Sequence, residues 1–304
     1  MGGMADMRFT VSTTTNDNDY QIEQAISARQ AAQRLGVELD LLHANNDAIE
    51  QSQQILKVIQ LPPERRPHAI VFEPVGTPLP QAAHAAVAAG IGWVVLNREA
   101  GYISELRAKT KAPVFVLSSD HHEIGRMQGR QIAALLPNGG HVLYVLGASG
   151  DASASRTAGM METKPASVQV KTLRGNWTEE SAHKTVTSWL KLATARNETI
   201  DLIAAQDDSM AMGARRAFEV QFSGAERSKW ASLPFIGCDG LPKTGQAWVK
   251  NGLLAATVVL PPNAGLALEM LVHAMRTGEQ PRELVFTPST SMPTIEALQA
   301  KAKK

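Results

Sequence analysis

Leu202-Ile203-Ala204-Ala205-Gln206-Asp207-Asp208-Ser209-Met210-Ala211-Met212-Gly213-Ala214 decides the fold class. Four apolar residues make the short, unbroken run of a strand buried on both faces. Three polar residues follow at once, and an Ala- and Met-rich stretch then continues at helical spacing to Val220. A buried strand that empties through a brief polar turn into a helix is the repeating unit of a parallel sheet.

The same unit recurs in both directions. Toward the N-terminus, strands are expected at residues 8–12, 37–42, 69–72, 93–96, 114–117, 141–146 and 168–173. Toward the C-terminus they are expected at 235–238, 255–260 and 284–286. Helices fit 20–35, 47–59, 81–89, 124–136, 179–194, 209–220, 244–251 and 263–276, with Gly36 and Gly90 as stops. Eleven strands exceed one doubly wound sheet of usual size. The expected class is α/β, with two doubly wound parallel-sheet lobes. Residues 61–67, with three prolines, and 101–113, a long basic link with some helical character, read as solvated surface connections. No internal repeat stands out.

Composition narrows the function. Of 304 residues, 44% are hydrophobic and 19% charged, as in a folded chain. Thirty Lys and Arg against twenty-nine Asp and Glu give a net charge of +1, which speaks against a broad phosphate-binding face and so against nucleic acid. No apolar run approaches the roughly 18 residues of a membrane-spanning helix. The single cysteine, Cys238, allows no internal disulfide and no multi-cysteine metal site. It lies in an apolar strand and reads as an inert thiol. The first residues, 1–7, show no export segment, so the expectation is either a mature periplasmic form or a cytoplasmic protein.

In open parallel sheets, ligands bind beyond the carboxyl ends of the strands. The residues just past those ends are Asn18 and Tyr20, Glu73, Asn97 and Arg98, Gly147 to Gly150 with Arg156 beyond, Trp177, Gln206 to Asp208, and Asp239-Gly240. Amide planes, guanidinium forks, carboxylates and aromatic faces suit a polyhydroxylated ring, whose hydroxyls both donate and accept and whose C–H face packs on an aromatic. Two Arg and two Asp cancel, which favours a neutral ligand. Duller roles compete. Asp208, more readily than Asp207, reads as only a helix cap. Asp239-Gly240 reads equally as a turn, and the two arginines as surface residues. Trp189 and Trp248 fall inside helices as packing residues, while Trp230 sits in a loop insertion.

Catalytic motifs are missing. Gly147-Ala148-Ser149-Gly150 is one residue short of a nucleophile elbow, and no glycine-rich phosphate loop or dinucleotide fingerprint is present. His121-His122-Glu123 has no third convergent ligand and reads as the start of a helix. Neither catalytic residues, nor a metal site, nor a cofactor is expected.

The order and spacing of 205–214, 236–242 and 252–258 carry a resemblance. The chain resembles the ribose-type sugar-binding proteins of the type I periplasmic-binding fold, also the fold of the effector domains of lactose-repressor-type regulators. The resemblance spans residues 8–286. It implies three crossings between lobes, near Ser119–Asp120, Leu260–Pro261 and Pro288–Ser289. The lobes would then be 1–119 plus 261–288 and 120–260 plus 289–304, closing over ligand in a cleft by hinge motion.

The resemblance also implies sugar contacts at Asn18, Tyr20, Asn97, Arg98, Arg156, Trp177, Asp207, Asp239 and Leu260. Arg156 would open the helix after the sixth strand. Three positions depart from the family. Asn97 replaces an acid, Leu260 replaces a glutamine, and Asp207 stands where Asn is frequent. Glu73 stands where Asn commonly precedes proline. A ligand less polar near Leu260 than ribose is expected. The resulting expectation is a monomeric solute-binding protein for a small neutral sugar or polyol, partnered by an ABC permease. The alternative is a sensor acting through a signalling or transcriptional partner, and an enzyme is less favoured.

Overall fold

The computed structural model describes residues 7–192 and 198–302. The helix expected over 179–194 is described to Leu190, and its last two residues lie outside the described set. Two compact units divide the chain. One runs to Ser119 and takes in Pro262–Thr287; the other is Asp120–Pro261 with the segment from Pro288 onward.

The first unit has strands β1 (Arg8–Thr13), β2 (Glu38–His43), β3 (Ala69–Phe72), β4 (Gly92–Leu96), β5 (Val114–Ser119) and β11 (Leu284–Thr287), numbered in chain order. They form one sheet in the order β11-β5-β4-β3-β1-β2, every neighbouring pair parallel. Helices α1 (Asp19–Leu35), α2 (Ala48–Ile59), α3 (Pro80–Ala88), α4 (Ile103–Lys109) and α11 (Ala264–Thr277) cover it. Helix α1 shows how sequence sets the packing. Asn18 caps its start, and Gly36, at φ 68°, turns the chain out of its end. Its buried face is small: Ala25, Ala28, Ala31 and Ala32. That lets α11 come close, and a Cβ on Gly265 would stand 2.5 Å from Ser27 Oγ. The other face of the sheet is bulkier, with the Phe72 and Trp93 rings 4.7 Å apart.

The second unit holds β6 (Gly140–Leu146), β7 (Val168–Arg174), β8 (Leu202–Ala205), β9 (Phe235–Asp239), β10 (Ala256–Val259) and β12 (Thr290–Met292). Their order is β12-β10-β9-β8-β6-β7. Helices α5 (His121–Leu135), α6 (Asp151–Thr163), α7 (Glu179–Leu190), α8 (Asp208–Gln221), α9 (Gly224–Ala231), α10 (Gly245–Lys250) and α12 (Ile295–Ala302) accompany them. Helices α5 and α6 nearly touch along their backbones. A Cβ on Gly125 would lie 2.0 Å from the Arg156 carbonyl oxygen, and one on Gly159 2.0 Å from that of His122. The glycines therefore fix where Arg156 stands.

Both sheets share one plan: the first strand lies between the second and third, and the order reverses there. That reversal is the topological switch point at which open α/β sheets take ligands. It falls between β1 and β3 in the first unit, and between β6 and β8 in the second.

Several expectations need correcting. The described residues form twelve strands, not eleven. The extra one, β12, is three residues long and antiparallel to β10, too short to show a pattern. Residues 101–113 are more than a solvated link, because α4 buries Ile103 and Leu106. Trp230 lies in α9 rather than in a loop, its ring stacked on Phe218 at 4.6 Å and on Phe222 at 5.7 Å. Helix α6 begins at Asp151, so Arg156 sits in its second turn and does not open it.

Candidate functional site

In the first unit the polar residues gather at the tips of β1, β3, β4 and β5. Asn18 Oδ1 accepts from the backbone N–H of Tyr20 (3.0 Å) and Gln21 (3.3 Å), which sets Tyr20 in the first turn of α1. Asn97 follows β4 in the left-handed region, at φ 54°, which Asn tolerates better than most residues. Its Nδ2 donates to Tyr20 Oη at 3.4 Å and to Glu73 Oε2 at 3.1 Å. Its Oδ1 accepts from Asn263 Nδ2 at 2.8 Å and from Ser119 N at 3.3 Å. Arg98 turns aside and donates to the Gly76 carbonyl at 2.7 Å.

Glu73 follows β3 directly. Its N–H donates to Ser12 O at 3.0 Å, and its own carbonyl accepts from Gln51 Nε2 at 2.8 Å. Burial pushes its carboxyl above the ordinary carboxylate range, against bonds from Gln21, Asn97 and Gln24 and the charge of Arg98. Gln24 also donates to Asn263 Oδ1 at 2.7 Å, so α1 and α11 both feed the cluster.

In the second unit Arg156 is the centre. It is 5% exposed. Nη1 donates to the Gln206 carbonyl and to Cys238 Sγ (3.4 Å), and Nε points to His121 Nδ1 (3.4 Å). Asp239 Oδ1 stands 3.9 Å from Nη1. The guanidinium lies over the Trp177 ring, 5.4 Å from its centroid, a cation–π arrangement. Burial works against its charge, but the neighbouring carboxylates of Asp239 and Asp207 favour it, and the group is held cationic. Burial pushes the Cys238 thiol well up, which makes it a poor nucleophile.

The backbone serves this cluster. Trp177 has φ 60° and Asp239 φ 99°. Any Cβ on Gly147 would fall 2.1 Å from the Trp177 ring, so only glycine lets the indole lie across the tip of β6. Gln206, fully buried, ties the loop together. It accepts from Gly147 N (2.9 Å) and donates to Ser153 O and Thr157 Oγ1 (both 3.0 Å). Leu260 is 2% exposed and donates its N–H to the Asp239 carbonyl at 2.9 Å.

The capping role expected of Asp208 falls to Asp207 instead. Asp207 is the cap of α8, accepting from Met210 N at 2.5 Å. Asp208 does not cap. Its carboxyl is buried and reaches Gly240 N and Thr257 Oγ1, both at 2.7 Å. Burial raises it to about 8, with Asp207 adding to the shift and Thr257, Gly240 and Arg156 opposing it. It therefore anchors the Asp239-Gly240 turn. Gly240 needs its φ of 55° there, and a Cβ would press within 2.6 Å of Val259. His121, His122 and Glu123 open α5, and the latter two face different partners: His122 meets Glu162 at 2.8 Å, Glu123 meets Arg130 at 2.8 Å.

The expected residues thus fall into two clusters, one in each unit. Tyr20 and Asn97 meet in the first unit, with Asn18 beneath as a cap and Arg98 turned to Gly76. Arg156, Trp177 and Asp239 meet in the second, with Asp207 close enough to act on Arg156 electrostatically. Gln24 and Asn263 escaped sequence reasoning because they sit inside or at the start of helices, not past strand ends. Glu73 and Gln206 were visible by that rule.

A model of the periplasmic binding protein domain matches residues 9–280. The D-apiose import binding protein of Actinobacillus succinogenes is 25% identical over 281 residues, 90% of this chain and 83% of that protein. The ribose import binding protein of Salmonella typhimurium is 26% identical over 262 residues, 86% and 81%. Among solved structures, an ABC transporter periplasmic solute binding protein from Actinobacillus succinogenes 130z with bound D-allose aligns with a TM-score of 0.80 at 22% identity. The alignment covers 97% of this chain and 99% of that one.

Proposed function

The chain belongs to the periplasmic binding protein domain family, and from that premise we propose that it captures a small neutral sugar or polyol for an ABC importer. The carrying observation is the second half-site: a buried guanidinium, an aromatic face and a carboxylate meeting at the tips of one sheet. A carboxylate and a guanidinium bind adjacent hydroxyls in directional, charge-assisted pairs, and the indole takes the C–H face of the ring. The first half-site adds Tyr20 as a second ring and a second set of polar groups. In this reading both halves hold one ligand, which favours the closed arrangement by the contacts it gains there. The names and bound sugars of the relatives support it.

The working compartment is the periplasm, the partner is a permease, and the ligand leaves chemically unchanged. Thermal unfolding against a panel of sugars and polyols tests this. A ligand present at 100 times its Kd adds about 2.7 kcal/mol of stability, enough to raise Tm by several degrees. At least one small neutral sugar should do so and be recovered intact. A panel without a hit, or recovery of a converted sugar, would overturn the proposal.

A further inference from the structure

Asn97 is a neutral amide, and an acid, Glu73, is its direct hydrogen-bond neighbour. Asn97 has two amide hydrogens and two acceptor lone pairs. Glu73 and Tyr20 take the hydrogens, and Asn263 and Ser119 take the lone pairs. A ligand hydroxyl could bond to Asn97 only by displacing one of these partners. Glu73 differs. A carboxylate offers about four acceptor sites, and the amides of Gln21, Gln24 and Asn97 hold the group without filling it. It remains part-buried at the switch point between β1 and β3, held from behind through Ser12 and Gln51. The topologically matching residue of the second unit is Gln206, the first residue after β8. It is fully buried and spent on its own loop, whereas the first unit has a carboxyl group at this place.

We propose that Glu73 is the specificity-determining carboxylate of the first half-site, accepting from neighbouring hydroxyls of the sugar, and that Asn97 is a positioning residue that aims it. This rests on the sugar-binding reading. The carboxyl stands at the tip of β3, one hydrogen bond from position 97 at the tip of β4, so the hydroxyls selected differ from those an acid at position 97 would select.

The test is an exchange. Glu73→Gln should weaken sugar binding about tenfold or more and reorder preferences among D-ribose, D-apiose, D-allose and myo-inositol. Asn97→Asp should also weaken it, because it sets two carboxylates side by side. The double variant, Glu73→Gln with Asn97→Asp, restores one carboxylate, and of the bonds around Oε2 it gives up only the 3.4 Å one from Gln24. The carboxylate now at position 97 accepts from Ser119, Asn263, Tyr20 and the amide now at position 73. This variant should bind more tightly than either single one, a coupling that loss of folding would not produce. Calorimetry gives the affinities, and urea midpoints of the ligand-free proteins report folding.

Wild-type affinity and ranking in Glu73→Gln would overturn the assignment while leaving the sugar reading intact. A folded double variant no tighter than the singles would overturn the positioning role of Asn97. Failure of the wild type to bind any sugar would remove the function reading and this proposal together.

Discussion

Replacing Asp208 with Asn removes a proton-binding group and keeps its shape. In Asp208→Asn the amide oxygen can accept from Gly240 N while the amide nitrogen donates to Thr257 Oγ1, so both existing contacts survive. The wild-type carboxyl, ordinarily at 3.8, is raised to about 8 by burial. Between those values the folded protein keeps a proton that the unfolded chain releases. The unfolded state then binds fewer protons, so stability falls as pH rises through this window, by about 1.4 kcal/mol per unit, and levels off above the folded value. An amide in its place has no such slope. The stability of Asp208→Asn relative to wild type should therefore grow by about 4 kcal/mol between pH 5 and pH 8. Urea unfolding of both ligand-free proteins at four or five pH values measures it, and all other titrations cancel in the difference. A difference constant within about 1 kcal/mol would refute the reasoning, because Asp208 would then ionise as readily folded as unfolded.

Other substitutions address the half-sites. Arg156→Ala leaves Asp239 without its guanidinium and Trp177 without its cation. Calorimetry should show sugar binding weakened at least tenfold, about 1.4 kcal/mol, and unchanged binding in a folded variant would remove Arg156 from the site. Gly147→Ala puts a methyl 2.1 Å from the Trp177 ring and must displace it. Sugar affinity should fall with little loss of urea stability, and full affinity would mean that the indole does not face the ligand. Leu260→Gln should shift preference toward sugars with one more hydroxyl, whereas an unchanged ranking would contradict a ligand less polar at that point.

What the sequence disclosed and what it hid have physical reasons. Buried parallel strands such as Ala69–Phe72 and Leu202–Ala205 are legible to the residue, because short apolar runs bounded by polar turns have few alternatives. That Arg156, Trp177 and Asp239 come together follows from one rule, that polar and aromatic groups gather beyond the carboxyl ends of parallel strands. Helix α6 leaves no periodic signal because Asp151–Thr163 is small and polar, so only the resemblance implied it and its start was misplaced; its place is set by backbone approach to Gly125, a contact without a local signature. That Asp207 caps α8 and Asp208 does not was equally hidden. Either can cap a helix, and only the arrival of Gly240 and Thr257, 32 and 49 residues away, assigns Asp208 to the sheet. Asn97 shows the limit of reading residue types: its hydrogen-bond capacity is spent on partners from α1, β3, β5 and α11 that no linear pattern brings together.

Hydrogen–deuterium exchange with and without the sugar that gives the largest thermal shift tests the central claim most directly. If one ligand is held by both half-sites, protection should rise together at 14–21, 73–76 and 97–98 in the first unit and at 147–156, 175–178, 206–210 and 239–240 in the second. Protection confined to one unit, or located away from these strand tips, would contradict it.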